Sequence, residues 1–160
     1  MSVNTKSVQG RRKLSFESLD EAVADAERLV ASPRVTMLGN LSLGQILAHL
    51  AIPINGAIDG FDIKGPWIIR TLLGPRIKSS ILNKGMSPGA KLPKKFHAEL
   101  FPRRVSAEQG LEMYRKAVAR LKTERMTADH PFMGPMCHED WDRLSRRHAE
   151  LHLSFAVPHE

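Results

Sequence analysis

The residues best equipped for chemistry in this chain are two histidines four apart, His148 and His152, in the stretch WDRLSRRHAELHLSF (residues 141–155). Helical residues four apart share a face, so two imidazoles at this spacing can aim nitrogens at one metal ion at ~2.0–2.1 Å. The pattern is not that of a zinc protease. Where HExxH carries its general base the chain has Ala149. Glu150, two residues from each histidine, falls about 200° round the helix axis and points away. Placement adds what spacing lacks. His148 and His152 lie on one stripe with Trp141, Leu144, Leu151 and Phe155, so both should face the interior. Buried imidazoles need partners for their nitrogens; a metal is one solution, and hydrogen bonds to buried water or carboxylates are the other.

A metal site needs a third protein ligand, and His49 is the best candidate because it too lies on an apolar stripe, beside Ile46 and Leu50. His130, His138, His97 and His159 read as loop or surface residues. Cys137 has no base placed to activate it and reads as a helix N-cap or a small buried residue.

Four helices must position these side chains. Ser18 with Glu21, Ser42 with Gln45 and Ser106 with Gln109 each give a capping-box pattern opening a helical apolar period. The first stripe is Leu19, Val23, Ala26, Leu29 and Val30, ended by SPR at 32–34. The second helix carries Ile46, His49, Leu50 and Ile54, with Pro53 expected to kink or weaken it and NGAIDGF (55–61) to loosen the chain. The third shows Leu111, Tyr114, Val118 and Leu121. The fourth starts near His138, with Glu139, Asp140 and Asp142 at its positive end. Between the second and third helices runs a connection far longer than helix–helix loops usually are. Its PWIIRTLLGPRIKSSILNKGM (66–86) suits one or two short helices broken at Gly74-Pro75, with Trp67, Ile68, Ile69, Leu72 and Leu73 packing on the bundle; SPGAKLPKK (87–95) reads as irregular chain. No strand and no internal repeat is evident. The expected fold is all-α: a single domain over residues 1–160, a four-helix bundle with a long, basic, partly helical connection between helices 2 and 3, and residues 1–13 flexible.

The net charge of +7 is concentrated: residues 62–104 hold ten lysines and arginines against Asp62 and Glu99. That segment reads as a solvated basic loop or as a surface for an anionic ligand. Nucleic acid is not the expected partner because aromatics for base stacking are scarce there, and a membrane is not expected either. RRKLSF (11–16) has the look of a twin-arginine export signal, but five acids follow, Glu17, Asp20, Glu21, Asp25 and Glu27, where a signal needs an apolar run. One cysteine excludes an internal disulfide and suits a reducing cytoplasm, the expected location.

A helix bearing one histidine (SLGQILAHL), a long connection, then HPFMG and W…HAELHLSF together resemble the DinB-like (YfiT-like) superfamily of metal-binding four-helix bundles, and within it a bacterial domain family of unknown function. The resemblance spans nearly all of residues 11–158. It implies a divalent metal (zinc, nickel or iron) held by His49, His148 and His152. It also implies, for some members, transferase or isomerase chemistry on low-molecular-weight thiols. The enzymatic reading is a metal-dependent transferase or hydrolase with an open metal position, a small-molecule, anionic substrate and a low-molecular-weight thiol as cofactor. The alternative is a non-catalytic binding or dimerisation module whose histidines are structural; a homodimer fits either.

Overall fold

The computed structural model describes residues 3–89 and 100–159, and these form five α-helices and two short strands. In chain order they are α1 (Leu19–Ala31), β1 (Arg34–Met37), α2 (Leu43–Asp59), α3 (Gly74–Lys84), α4 (Ala107–Arg120), α5 (His138–Leu153) and β2 (Ala156–His159). The caps form where the sequence places them. Ser18 accepts from the Glu21 amide, and Ser42 with Gln45 and Ser106 with Gln109 make complete capping boxes. Each box satisfies two amide donors that a helix start otherwise leaves unpaired.

Helices α1, α2, α4 and α5 make the bundle, and their buried faces supply most of the core, from Leu29, Leu47 and Ile54 to Tyr114, Trp141 and Leu153. The tightest contact is between α2 and α4. A Cβ on Gly44 would lie 2.2 Å from the Val105 carbonyl oxygen, and one on Gly110 would lie 2.5 Å from the Gly44 oxygen. Only glycine lets the two capped helix starts meet backbone to backbone. Trp141, fully buried, donates its indole N–H to the Ala128 carbonyl at 2.8 Å and so ties α5 to the loop before it.

Four expectations about the helices and strands need correction. The described residues hold five helices, not four, because α3 within the connection is a full helix resting on α5. A two-stranded antiparallel sheet exists, pairing Arg34 with His159 through Met37 with Ala156. Strands of four residues, one containing Pro158, are too short to show a two-residue period. Helix α2 runs through Pro53 and does not loosen until Gly60, whose φ of +97° favours glycine; burial of Ile54 and Ala57 outweighs the hydrogen bond that proline forfeits to the His49 carbonyl. Finally, the chain is helical without a break from Trp67 to Lys84. An i→i−5 turn (Ile69–Leu73), closed by the Gly74 amide on the Ile69 carbonyl, absorbs Pro75 at the start of α3.

The apolar residues of this segment do not pack on the bundle as expected. Trp67, Ile68, Leu72 and Leu73 are exposed, and only Ile69 is half-buried. What fixes α3 is Gly74 lying against Met133, the buried Leu82, and Lys78 bonded to Asp140 at 2.6 Å. Residues 87–89 have no regular structure, and the rest of the expected irregular stretch lies outside the described residues. No helix among the described residues is long and apolar enough to cross a membrane.

Candidate metal centre

His49 comes from the middle of α2 and His148 and His152 from successive turns of α5, and the bundle brings all three together. One ligand atom from each lies within 4.8 Å of the others. The ring centroids are 4.7 Å apart for His49–His148 and His49–His152 and 4.6 Å for His148–His152, each pair near perpendicular. His49 is buried, with 5% of its surface exposed, and His148 and His152 are half-buried. Ser42's capping box starts α2 seven residues before His49, and Cys137 caps α5 by accepting from the Asp140 amide at 3.4 Å.

The protonation pattern follows from the contacts. His49 Nδ1 lies 2.8 Å from the Leu100 carbonyl oxygen. A carbonyl can only accept, so Nδ1 carries the proton and Nε2 the lone pair. Phe101 stacks on the other side of the ring at 4.3 Å and 20°. His49 Nε2 is 3.0 Å from His148 Nε2. Without an ion, His148 donates across that gap; coordination of both nitrogens to one ion needs His148 in its other neutral tautomer.

Electrostatics keep the rings neutral. Burial pulls His49 down to about 4, against the opposing pull of the Leu100 carbonyl. Burial, then the charges of His49 and Arg11, takes His152 down to about 3. His148 is driven well below the ordinary histidine value by burial and then by His152, His49 and His130. Three neutral imidazoles converge with no carboxylate among them, a donor set suited to a borderline-soft divalent ion such as zinc, nickel or iron(II).

Glu150 takes no part, as its angle on the helix demands. One of its oxygens accepts from the Phe16 amide at 2.9 Å and the other from Arg147 at 3.0 Å. His130 accepts the Phe132 and Met133 amides on Nδ1, both at 3.1 Å, and its ring lies tilted against Trp141, 5.3 Å away. His138 accepts the Met126 amide at 3.1 Å, and His159 bonds Thr36. All three are structural; His97 lies outside the described residues.

Sequence reasoning missed the Leu100 carbonyl and the Phe101 ring, which orient His49 from fifty residues away and carry no local signal. It also missed Arg11. That guanidinium bonds Ser154 Oγ through Nε at 3.0 Å and through a terminal nitrogen at 2.7 Å, and sits 4.3 Å over the Phe155 ring. Beside it Arg12 grips the buried Asp25 with two bonds, at 2.9 and 2.6 Å. The RR pair is thus a strap across the end of α5. Cavities of about 300 and 320 Å³ lie elsewhere, one between α3 and α5 beside Lys78 and Met133, the other beside Arg70 and His130.

Residues 8–159 match the model of a family described as a protein of unknown function, DUF1569. The chain belongs to that family. No curated protein and no solved structure matches it. Membership in DUF1569 therefore covers the whole bundle, the strap and the histidine cluster, and it carries no reaction with it.

Proposed function

We propose that this DUF1569 protein is a DinB-like divalent-metal protein whose protein ligands are His49, His148 and His152, and that it is a metalloenzyme acting on a small molecule. The observation that carries the reading is the convergence of three neutral imidazoles from two helices, with one ring held in the ligating tautomer by a backbone carbonyl. A divalent ion there would act as a Lewis acid, or lower the pKa of a water or thiol, at a position that three protein ligands leave free. The chain's own contributions are orientation and exclusion. Leu100 and Phe101 hold His49, and burial keeps all three rings uncharged at neutral pH, so that each has one nitrogen lone pair to offer. Zinc, nickel and iron(II) all suit the donor set. The thiol-dependent transferase chemistry, and the low-molecular-weight thiol with it, rest on the superfamily resemblance alone.

One observation favours a second reading, in which the histidines are structural and the bundle is a binding or dimerisation module: His49 and His148 can satisfy each other through their 3.0 Å contact without an ion. Elemental analysis of untagged protein separates the two. About one equivalent of metal per chain is expected, falling to background in a His148→Ala, His152→Ala variant. Absence of metal after supply of zinc, nickel and iron in turn would sink the enzymatic reading.

A further inference from the structure

The helical segment 67–84 is the most exposed apolar surface of the described chain. Trp67 is 70% exposed, Leu72 63%, Ile68 52%, Leu73 48% and Ile77 42%. Their spacing is informative. Trp67 and Leu72, and Ile68 and Leu73, are each five apart and span the i→i−5 turn at residues 69–73. In an ordinary α-helix residues five apart diverge, whereas a turn with one extra residue carries them closer to one side. A patch of this kind on a helix needs an explanation.

The charge around it supplies one. Lys64, Arg76 and Lys84 are exposed and have no ion-pair partner among the described residues, unlike Lys78, held by Asp140, and Arg70, held by Asp129. No aspartate or glutamate occurs from Ile63 to Ala98, a stretch with eight lysines and arginines. A second copy of this chain brought face to face on the patch would set cations against cations. The patch is instead complementary to a surface that is anionic outside and apolar beneath.

We propose that residues 67–84 dock this protein on an anionic lipid surface, with Trp67, Ile68, Leu72, Leu73 and Ile77 entering the headgroup–acyl boundary and Lys64, Arg76 and Lys84 facing the headgroup charges. This is peripheral binding by a helix lying along the interface, the mode open to a basic, amphipathic helix with tryptophan at its edge. It is independent of whether the histidines hold metal, because it uses none of the same side chains.

The chain carries its own reporter. Of its two tryptophans, Trp141 is fully buried and Trp67 is exposed, so a change in emission on binding comes from the docking helix. The full chain is titrated with vesicles of equal parts phosphatidylglycerol and phosphatidylcholine, and with vesicles of phosphatidylcholine alone. Co-sedimentation with the anionic vesicles, a blue shift of Trp67 and its protection from a soluble quencher are expected, with partitioning at least ~10-fold weaker on the neutral ones. A Leu72→Ser, Leu73→Ser variant and an Arg76→Glu, Lys84→Glu variant should each lose on the order of tenfold or more in partitioning. Both variants alter exposed positions, and an unchanged circular dichroism spectrum verifies that they fold. Equal binding to both vesicle types, no blue shift in the wild type, or undiminished binding of the serine variant would overturn the proposal. So would equally tight capture of wild type and serine variant on single-stranded DNA at concentrations where vesicles capture neither, since that outcome assigns the patch to nucleic acid.

Discussion

The two long sides of this bundle are built from the same kinds of residue and treat them in opposite ways. On the side of α2, α4 and α5, apolar stripes are buried, glycines let backbones touch, and even three histidines are drawn together and kept neutral. On the side of α3, a segment also rich in leucine and isoleucine turns Trp67, Ile68, Leu72 and Leu73 outward and is fixed by one glycine contact, one buried leucine and the ion pairs of Arg70 and Lys78. Apolar composition does not decide burial; a facing surface does. Where two helices can approach closely the stripe is covered, and where a helix is held at a few points it stays bare.

Three measurements test that contrast. The largest effect concerns His130, in the loop between α4 and α5. Burial lowers it to about 4, below the 6.5 of an unfolded chain. Between those values the unfolded state takes up a proton that the folded state refuses, so stability is full above about pH 6.5 and is lost as pH falls toward 4. Allowing for its partial exposure, the share of that loss due to His130, read as the difference between wild type and a His130→Asn variant in denaturant titrations at the two pH limits, should be about 2 kcal/mol. That variant, which keeps an acceptor for the Phe132 and Met133 amides, should show a flatter profile, and an identical slope would contradict the assignment. Next, Gly110→Ala places a methyl group 2.5 Å from the Gly44 oxygen and must push α2 from α4. A loss of about 1–3 kcal/mol in unfolding free energy is expected, and a neutral result would show the contact is looser than its geometry implies. Smallest of all, Leu72→Ser on the bare side should change stability by no more than ~0.5 kcal/mol. A loss typical of core residues would mean that this face is covered in solution.

The same contrast marks how far the sequence could be read. Capping boxes at Ser42 and Ser106, the buried stripes of α2, α4 and α5, and the meeting of His49 with His148 and His152 were legible, because caps and helical periods are local and a stripe must face something. The fate of residues 67–73 was not, since periodicity says which residues share a face and nothing about what covers it. The four-residue strands gave too little pattern to see. Arg12 on Asp25, thirteen residues apart, and the Leu100 carbonyl on His49 are pairings that only the assembled fold creates.

That last bond makes His49 a jointed part. Its tautomer and its ring plane are both set by Leu100 and Phe101, at the far end of the connection that begins after α2. Drawing those two residues off the bundle would remove the acceptor and the stacking partner in a single movement. His49 would then be free to swivel, and its 3.0 Å contact with His148 would go with it. The grip of this cluster on any ion is therefore geared to the position of one short piece of main chain.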